Sequence, residues 1–142
     1  MNDAPFHVEQ SDAAESMMRD AFKRSRTFDI SYEAEPTAQQ FHWSEAFYKS
    51  IRGPLGSGKS VCCAIELVRR AREQYPDSRG ARRTRWGVTR NTYPMLESTT
   101  IKTWQDWIPE EVAPIKHSPL LTTRLRLAEA DGTTVDCEVF FV

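Results

Sequence analysis

The sequence predicts an α/β fold in which a parallel β-sheet is covered by helices. Three observations carry that expectation. Strand-like and helix-like segments follow one another in the order strand, loop, helix, strand, helix, the order that builds parallel pairs through helical crossovers. A glycine-rich loop, "GPLGSGKS" at residues 53–60, stands where the first strand hands over to the first helix. Residues 121–142 alternate apolar and polar with period two around Asp131-Gly132, as a β-hairpin does.

Length and composition bound the rest. With 142 residues, 39% of them hydrophobic, and a mean hydropathy of −0.58, the chain has the length of one domain with a modest core. A net charge of −1 gives no overall attraction to a polyanion, so any such site must come from local clustering. No run of apolar residues is long enough to span a membrane. The acidic start "MNDAPFHVEQSDAAESMMRD" has no apolar segment of the secretory type, which points to a cytoplasmic protein. Cys62, Cys63 and Cys137 fit no zinc spacing; the adjacent pair sits in an apolar run, where free cysteines act as small buried hydrophobes. His7, His42 and His117 are scattered and read as structural or solvated side chains rather than ligands.

Residues 1–35 read as an amino-terminal appendage. Ser11 is placed to cap a short helix reaching Arg24, with Met17, Met18, Ala21 and Phe22 along it. "TFDISYEAEP" has no helical period and is expected to pack loosely, partly disordered by itself. The organised domain begins at Pro36. "AFYKSIRG" is a short aromatic and β-branched run ending in glycine, as a buried strand reads. After the loop, Val61, Ala64, Ile65, Val68, Ala71 and Tyr75 recur at helical spacing until Pro76 closes the run. "DSRGARRTR" reads as a basic loop, and "RWGVTRN" as a second strand with Trp86 and Val88 on one face. Pro94 opens a helix whose Ile101, Trp104 and Ile108 share a stripe, ending near Pro109.

The loop carries the clearest chemistry. Gly53, Gly58, Lys59 and Ser60 satisfy G-x-x-x-x-G-K-[ST], and each residue type has a physical duty there. Gly53, Gly56 and Gly58, with Pro54, Leu55 and Ser57 between them, let the backbone turn sharply and bring N–H groups close to phosphate oxygens. Lys59 reaches the β- and γ-phosphates of a nucleotide, and the Ser60 hydroxyl faces Mg²⁺. The following helix directs its positive end at the anion. With glycine at roughly 7% of residues, chance would produce the pattern in about one chain of this length in a hundred or fewer. The expected ligands are therefore a nucleotide, ATP or GTP, and Mg²⁺.

Hydrolysis would further require a carboxylate at the end of an apolar strand to hold the metal, and a second one to polarise water. No run of four apolar residues is followed by Asp or Glu. Glu129 follows a strand that alternates with arginine, and Asp136 and Glu138 precede the apolar "VFFV". Catalytic residues therefore stay unassigned.

"PTAQQFHWSEAFYKSIRGPLGSGKS" followed by "RWGVTRNTYPMLESTTIKTWQDWIPE" resembles the amino-terminal ATPase region of phage terminase large subunits, over roughly residues 36–142. The phosphate loop is shared with many NTPases; "TRNTYPMLESTTIKTW" is more particular to terminases. The resemblance implies a P-loop NTPase core of the RecA-like kind, ATP-driven packaging of double-stranded DNA into procapsids, and work in the host cytoplasm. It also implies a portal protein and a small terminase subunit as partners, and possible homo-oligomers. Thr37 with Gln39 or Gln40 occupies the place of an adenine-contacting glutamine, a side chain that both donates to and accepts from the base. Arg90 and Tyr93 fall in that family's segment after the second strand, near the nucleotide side of the sheet, which implies Arg90 as a candidate catalytic, phosphate or coupling residue against a plain surface arginine. The acidic metal strand, catalytic glutamate, intersubunit arginine and nuclease domain of that family have no counterpart here. The chain is thus expected to be an amino-terminal part of the ATPase domain, inactive alone. A helicase-like or kinase-like P-loop NTPase and a non-catalytic nucleotide-binding remnant are the alternatives.

Arg79, Arg82, Arg83 and Arg85 lie within seven residues with no acidic residue among them. Such a loop suits DNA phosphates. It equally suits a solvated connection, or pairing with acids on a neighbour. Trp86, Trp104 and Trp107 read as core or rim aromatics.

Overall fold

The computed structural model describes residues 30–142. The helix expected between Ser11 and Arg24 lies outside the described residues. Segment 30–35 has no regular structure, yet Ile30 packs on the core, and the Tyr32 ring meets those of His42 and Trp107 edge-on. This piece is tied down more firmly than its sequence suggested.

Helix α1 spans Pro36–Trp43, with Pro36 at its first position, where a fixed φ is pre-set for a helix and no N–H is needed. It turns Ala38 and His42, one turn apart, into the protein. Helix α2 spans Lys59–Glu73 and buries Cys62, Glu66, Val68 and Ala71. Gln74 is already extended, two residues before Pro76, so Tyr75 falls beyond the helix and is exposed rather than in the stripe. The next helix, α3, runs as Tyr93–Met95, a π-helical stretch Leu96–Ile101, and Lys102–Trp107. Its buried residues are Leu96, Ile101, Trp104 and Ile108, spaced five, three and four apart. The wider π turn absorbs the extra residue in the first interval, so the whole stripe faces inward.

Strands β1 (Ala81–Val88), β2 (Ile115–Lys116), β3 (Thr122–Ala128) and β4 (Thr134–Phe141) form one sheet in the order β1-β4-β3-β2. Only β1 and β4 are parallel; β3–β4 and β2–β3 are antiparallel. The sheet is therefore mixed, where a parallel one was expected. The cause is the hairpin: a connection as short as Glu129–Thr133 can return the chain only antiparallel. Asp131 shapes that turn by accepting from the N–H and hydroxyl of Thr133.

Helices α2 and α3 pack on one face, against Leu125, Leu127, Val135, Cys137, Val139 and Phe141. The other face is charged, with Arg83 and Arg85 on β1, Asp136 and Glu138 on β4, and Arg124 and Arg126 on β3. Among the described residues, helices thus cover only one side of the sheet.

Two expectations fail here. Residues 46–53 form no strand, and Phe47 and Tyr48 are 92% and 87% exposed. A strand exists through a neighbour that takes up its N–H and C=O groups, and none of the four strands pairs with this segment. The basic stretch is no loop beyond Gly80: Arg82, Arg83 and Arg85 belong to β1, and only Arg79 lies in the connection. Arg82 takes an inward position in a period-two pattern with Thr84, Trp86 and Val88, where a hydrophobic residue would normally announce the strand.

Candidate functional site

The loop 53–60 sits at the amino end of α2. Gly58 is the residue before the helix and adopts φ 72°, a left-handed conformation that disfavours any residue with a Cβ. At Gly53 the constraint is space: a Cβ there would lie 2.8 Å from Ser57 Oγ. That hydroxyl donates to the Pro54 carbonyl at 2.9 Å and lies 3.0 Å from the Lys59 ammonium. Lys59 Nζ also donates to the Pro54 carbonyl at 2.5 Å, so the ammonium lies folded over its own loop. The first helical bond runs from the Cys62 N–H to the Gly58 carbonyl at 2.8 Å. The N–H groups of Lys59, Ser60 and Val61 therefore have no carbonyl of the helix to bond, and the helix dipole adds positive potential there.

A cavity of about 670 Å³ opens in front of this turn. Its walls are the loop from Leu55 to Ser60, the C-terminal ends of β1 and β4 at Val88 and Phe141, and the inner side of α3 at Thr100, Thr103 and Trp104. The carboxyl ends of parallel strands are where open α/β sheets place their ligands. Lys59 and Arg90 contribute cations; Ser57, Ser60, Thr89, Thr100 and Thr103 contribute hydroxyls; no Asp or Glu is among the lining residues. Such a lining suits an anion with many oxygens. Arg90 holds its place by donating from Nε to Thr100 Oγ1 at 2.8 Å, and its Nη2 lies 3.5 Å from Ser60 Oγ. Tyr93 is exposed and does not line the cavity.

A second cavity, of about 320 Å³, shares Ile51 with the first and is lined by Thr37, Gln40, Phe41, Ser50 and Arg52 among others. The two glutamines separate here. Gln39 is committed to the turn before α1, its Nε2 donating to the Ala34 carbonyl at 2.8 Å. Gln40 is exposed and faces the cavity beside Thr37.

Behind the loop lies a buried network that sequence reasoning missed. Glu66, on α2, accepts from Lys49 Nζ at 2.6 Å, from Arg69 Nε at 2.9 Å and from Arg70 Nε at 2.9 Å, and bonds His42 Nδ1 at 2.7 Å. Burial pushes its carboxyl up, but the donors from Arg69, Lys49, His42 and Arg70 more than offset this, and it stays well below the usual carboxylate range. Arg69 and Arg70 also donate to the carbonyls of His42 and Ser44, tying the end of α1 to α2. The available signal was positional: Glu66 lies one turn beyond Cys62 on the inward face, with arginines three and four residues on. His42 fills the structural role expected of it, with its Nε2 3.6 Å from Cys62 Sγ.

Of the adjacent pair, Cys62 is buried, as expected, but Cys63 is exposed and lines the larger cavity; Cys137 is buried as well. The basic residues do not form one patch. Arg82 points inward to Asp131, Thr133 and the carbonyls of Arg72 and Gln74. Arg83 and Arg85 lie on the open face, paired with Asp77 at 3.3 Å and Glu138 at 3.0 Å. Glu129 and Asp136 pair with Arg72 and Arg124, and neither they nor Glu138 lines the cavity. Among the described residues no three His, Cys, Asp or Glu side chains converge to hold a metal ion, and no helix is long and apolar enough to cross a membrane. No protein-family model, curated protein or solved structure matches the chain.

Proposed function

We propose that this chain binds ATP through residues 53–60, as the nucleotide-binding part of an ATPase of the terminase large-subunit kind. The observation that carries the reading is the cavity at the ends of β1 and β4. There the loop, the amino end of α2, Lys59 and Arg90 converge with no carboxylate among them. Phosphate oxygens replace Pro54 and Ser57 as partners of the Lys59 ammonium, and the first-turn amides of α2 donate to the same group. Gln40 and Thr37, across Ile51, are the side chains placed to meet the base.

For Mg²⁺ the chain offers the Ser60 hydroxyl, exposed in the first turn of α2 and 3.5 Å from Arg90 Nη2. Mg²⁺ held there would supply charge neutralisation at the phosphates. By the same reading the core is of the RecA-like P-loop kind and the partners are double-stranded DNA, a portal protein and a small terminase subunit. The "TRNTYPMLESTTIKTW" segment supports these, since it supplies both Arg90 and the α3 wall of the cavity.

Titration of the intact chain with a labelled ATP analogue tests the proposal. Lys59→Ala removes one charge-assisted contact and is expected to weaken binding about ten- to a hundredfold. Equal affinity of the folded variant and the parent refutes it.

A further inference from the structure

Arg90 is not required by the phosphate-loop pattern, yet it is the second cation of the cavity. Its backbone is fixed by the sheet: the Arg90 N–H donates to the Val142 carbonyl at 3.1 Å, and the Val142 N–H to that of Val88 at 2.9 Å. Among the described residues its guanidinium has hydroxyl partners alone, Thr100 Oγ1 and Ser60 Oγ. The arginines of α2, β1 and β3 contrast with it, since each faces a carboxylate within 3.5 Å. A guanidinium with no counter-charge among the described residues, held at the wall of a cavity that no described acid lines, retains its attraction for an anion.

The π turn explains how its partner comes to be there. With Leu96 and Ile101 both buried, five residues apart, the wide turn leaves Thr100 and Thr103 on the cavity side. Thr100 thereby offers its hydroxyl to Arg90 Nε and leaves the Nη groups directed elsewhere.

We propose that Arg90 contacts the terminal phosphate and, positioned by Thr100, makes the site prefer a nucleoside triphosphate to a diphosphate. This rests on the phosphate-loop reading above. The loop amides and Lys59 approach from the side of α2 and serve either nucleotide. Arg90 approaches Ser60 from the end of β1, so the outermost phosphoryl group is the one left for it. Its planar fork suits two oxygens of that group.

The test measures affinities of the intact chain for ATP and for ADP, each with Mg²⁺, in the parent and four variants. Lys59→Ala is expected to weaken both nucleotides. Arg90→Ala is expected to weaken ATP about tenfold, the worth of one charge-assisted contact, and ADP less than about twofold. Arg90→Lys recovers part of the loss, since the charge remains without the fork. Thr100→Val weakens ATP about two- to fivefold and spares ADP, because Arg90 keeps its charge but loses its support. An unchanged ATP-to-ADP ratio in Arg90→Ala and Thr100→Val, with Lys59→Ala still weakening both, overturns this inference and leaves the phosphate loop standing. Unchanged binding in folded Lys59→Ala overturns both.

Discussion

Glu66→Gln is the perturbation that most sharply tests how the site is held. The substitution keeps the size of the side chain and removes its charge, placing an amide N–H₂ among groups that are themselves donors. Lys49 loses most: its side chain is 12% exposed and its Nζ lies 2.6 Å from Glu66 Oε1. Removing one member of a buried ion pair leaves the other charge uncompensated and typically costs about 3–5 kcal/mol. Arg69 and Arg70 are about a third exposed and keep Glu73 and backbone carbonyls as partners, so their share is that of screened surface pairs. The expected loss is therefore about 3 kcal/mol, read as a lower urea midpoint at unchanged m-value. In a chain of this size that corresponds to a melting temperature lower by roughly 10 °C. Acid supplies the second arm. The Glu66 carboxyl is depressed in the folded protein, so its contribution is fully present above the ordinary glutamate pKa of about 4.3 and declines as pH falls below that towards the folded value. The parent's advantage over Glu66→Gln should accordingly shrink below about pH 4. A loss under about 1 kcal/mol at neutral pH would refute the reasoning and make the network a screened surface feature.

The charged strand residues separate by role. Arg82→Ala is expected to cost about 1–2 kcal/mol of stability, since it removes a bond to Asp131 and leaves two carbonyls without their donor, and to leave duplex binding unchanged. Arg83→Ala with Arg85→Ala should leave stability nearly unchanged and, with double-stranded DNA as the partner, lower the salt slope of binding by about two units; an unchanged slope removes these residues from the interface. Phosphate release from MgATP by this chain alone is expected to match a buffer control, because no carboxylate among the described residues lines the cavity; turnover that disappears in Lys59→Ala would refute this.

What the sequence made legible follows from how local each signal is. The glycine turn at 53–60 is a contiguous pattern whose geometry needs only its own glycines and the helix that follows, and that turn and helix were legible. The hairpin was equally local, with Asp131-Gly132 and strict alternation on both sides. The segment 46–53 carries the aromatic and β-branched residues of a strand, but propensity supplies no partner, and without a ladder the aromatics stay exposed. The start of β1 was hidden for the opposite reason. Arg82 fills an inward position because Asp131 and two carbonyls on distant turns satisfy it, which no window around residue 82 reveals. The extra residue in the α3 stripe broke the 3.6-residue period only once, and a single π turn repaired it. Glu66 was unreadable from the pattern of apolar residues because its partners come from residues 42 and 49 as well as from α2 itself.

These non-local contacts also settle how the loop is framed. On its carboxyl side the loop leads straight into α2, whose Cys62, Val68 and Ala71 are buried, so Lys59 and Ser60 inherit the rigidity of a packed helix. On its amino side, residues 46–53 have no sheet to hold them. Lys49 takes that part instead, four residues before Gly53, donating to the Phe41 carbonyl at 3.0 Å and to Glu66. Arg69 and Arg70 add bonds to the carbonyls of His42 and Ser44 just upstream. Both flanks of the loop are therefore referred to the same helix, one through the backbone and the other through a buried carboxylate. Glu66 lines neither cavity, yet it fixes the distance between the segment that carries Gln40 and the turn that carries Lys59. On the proposed nucleotide-binding reading, Gln40 and Lys59 meet two ends of one ligand and need that distance held within about half an ångström; the ion-pair network supplies a constraint that a strand ladder would otherwise provide.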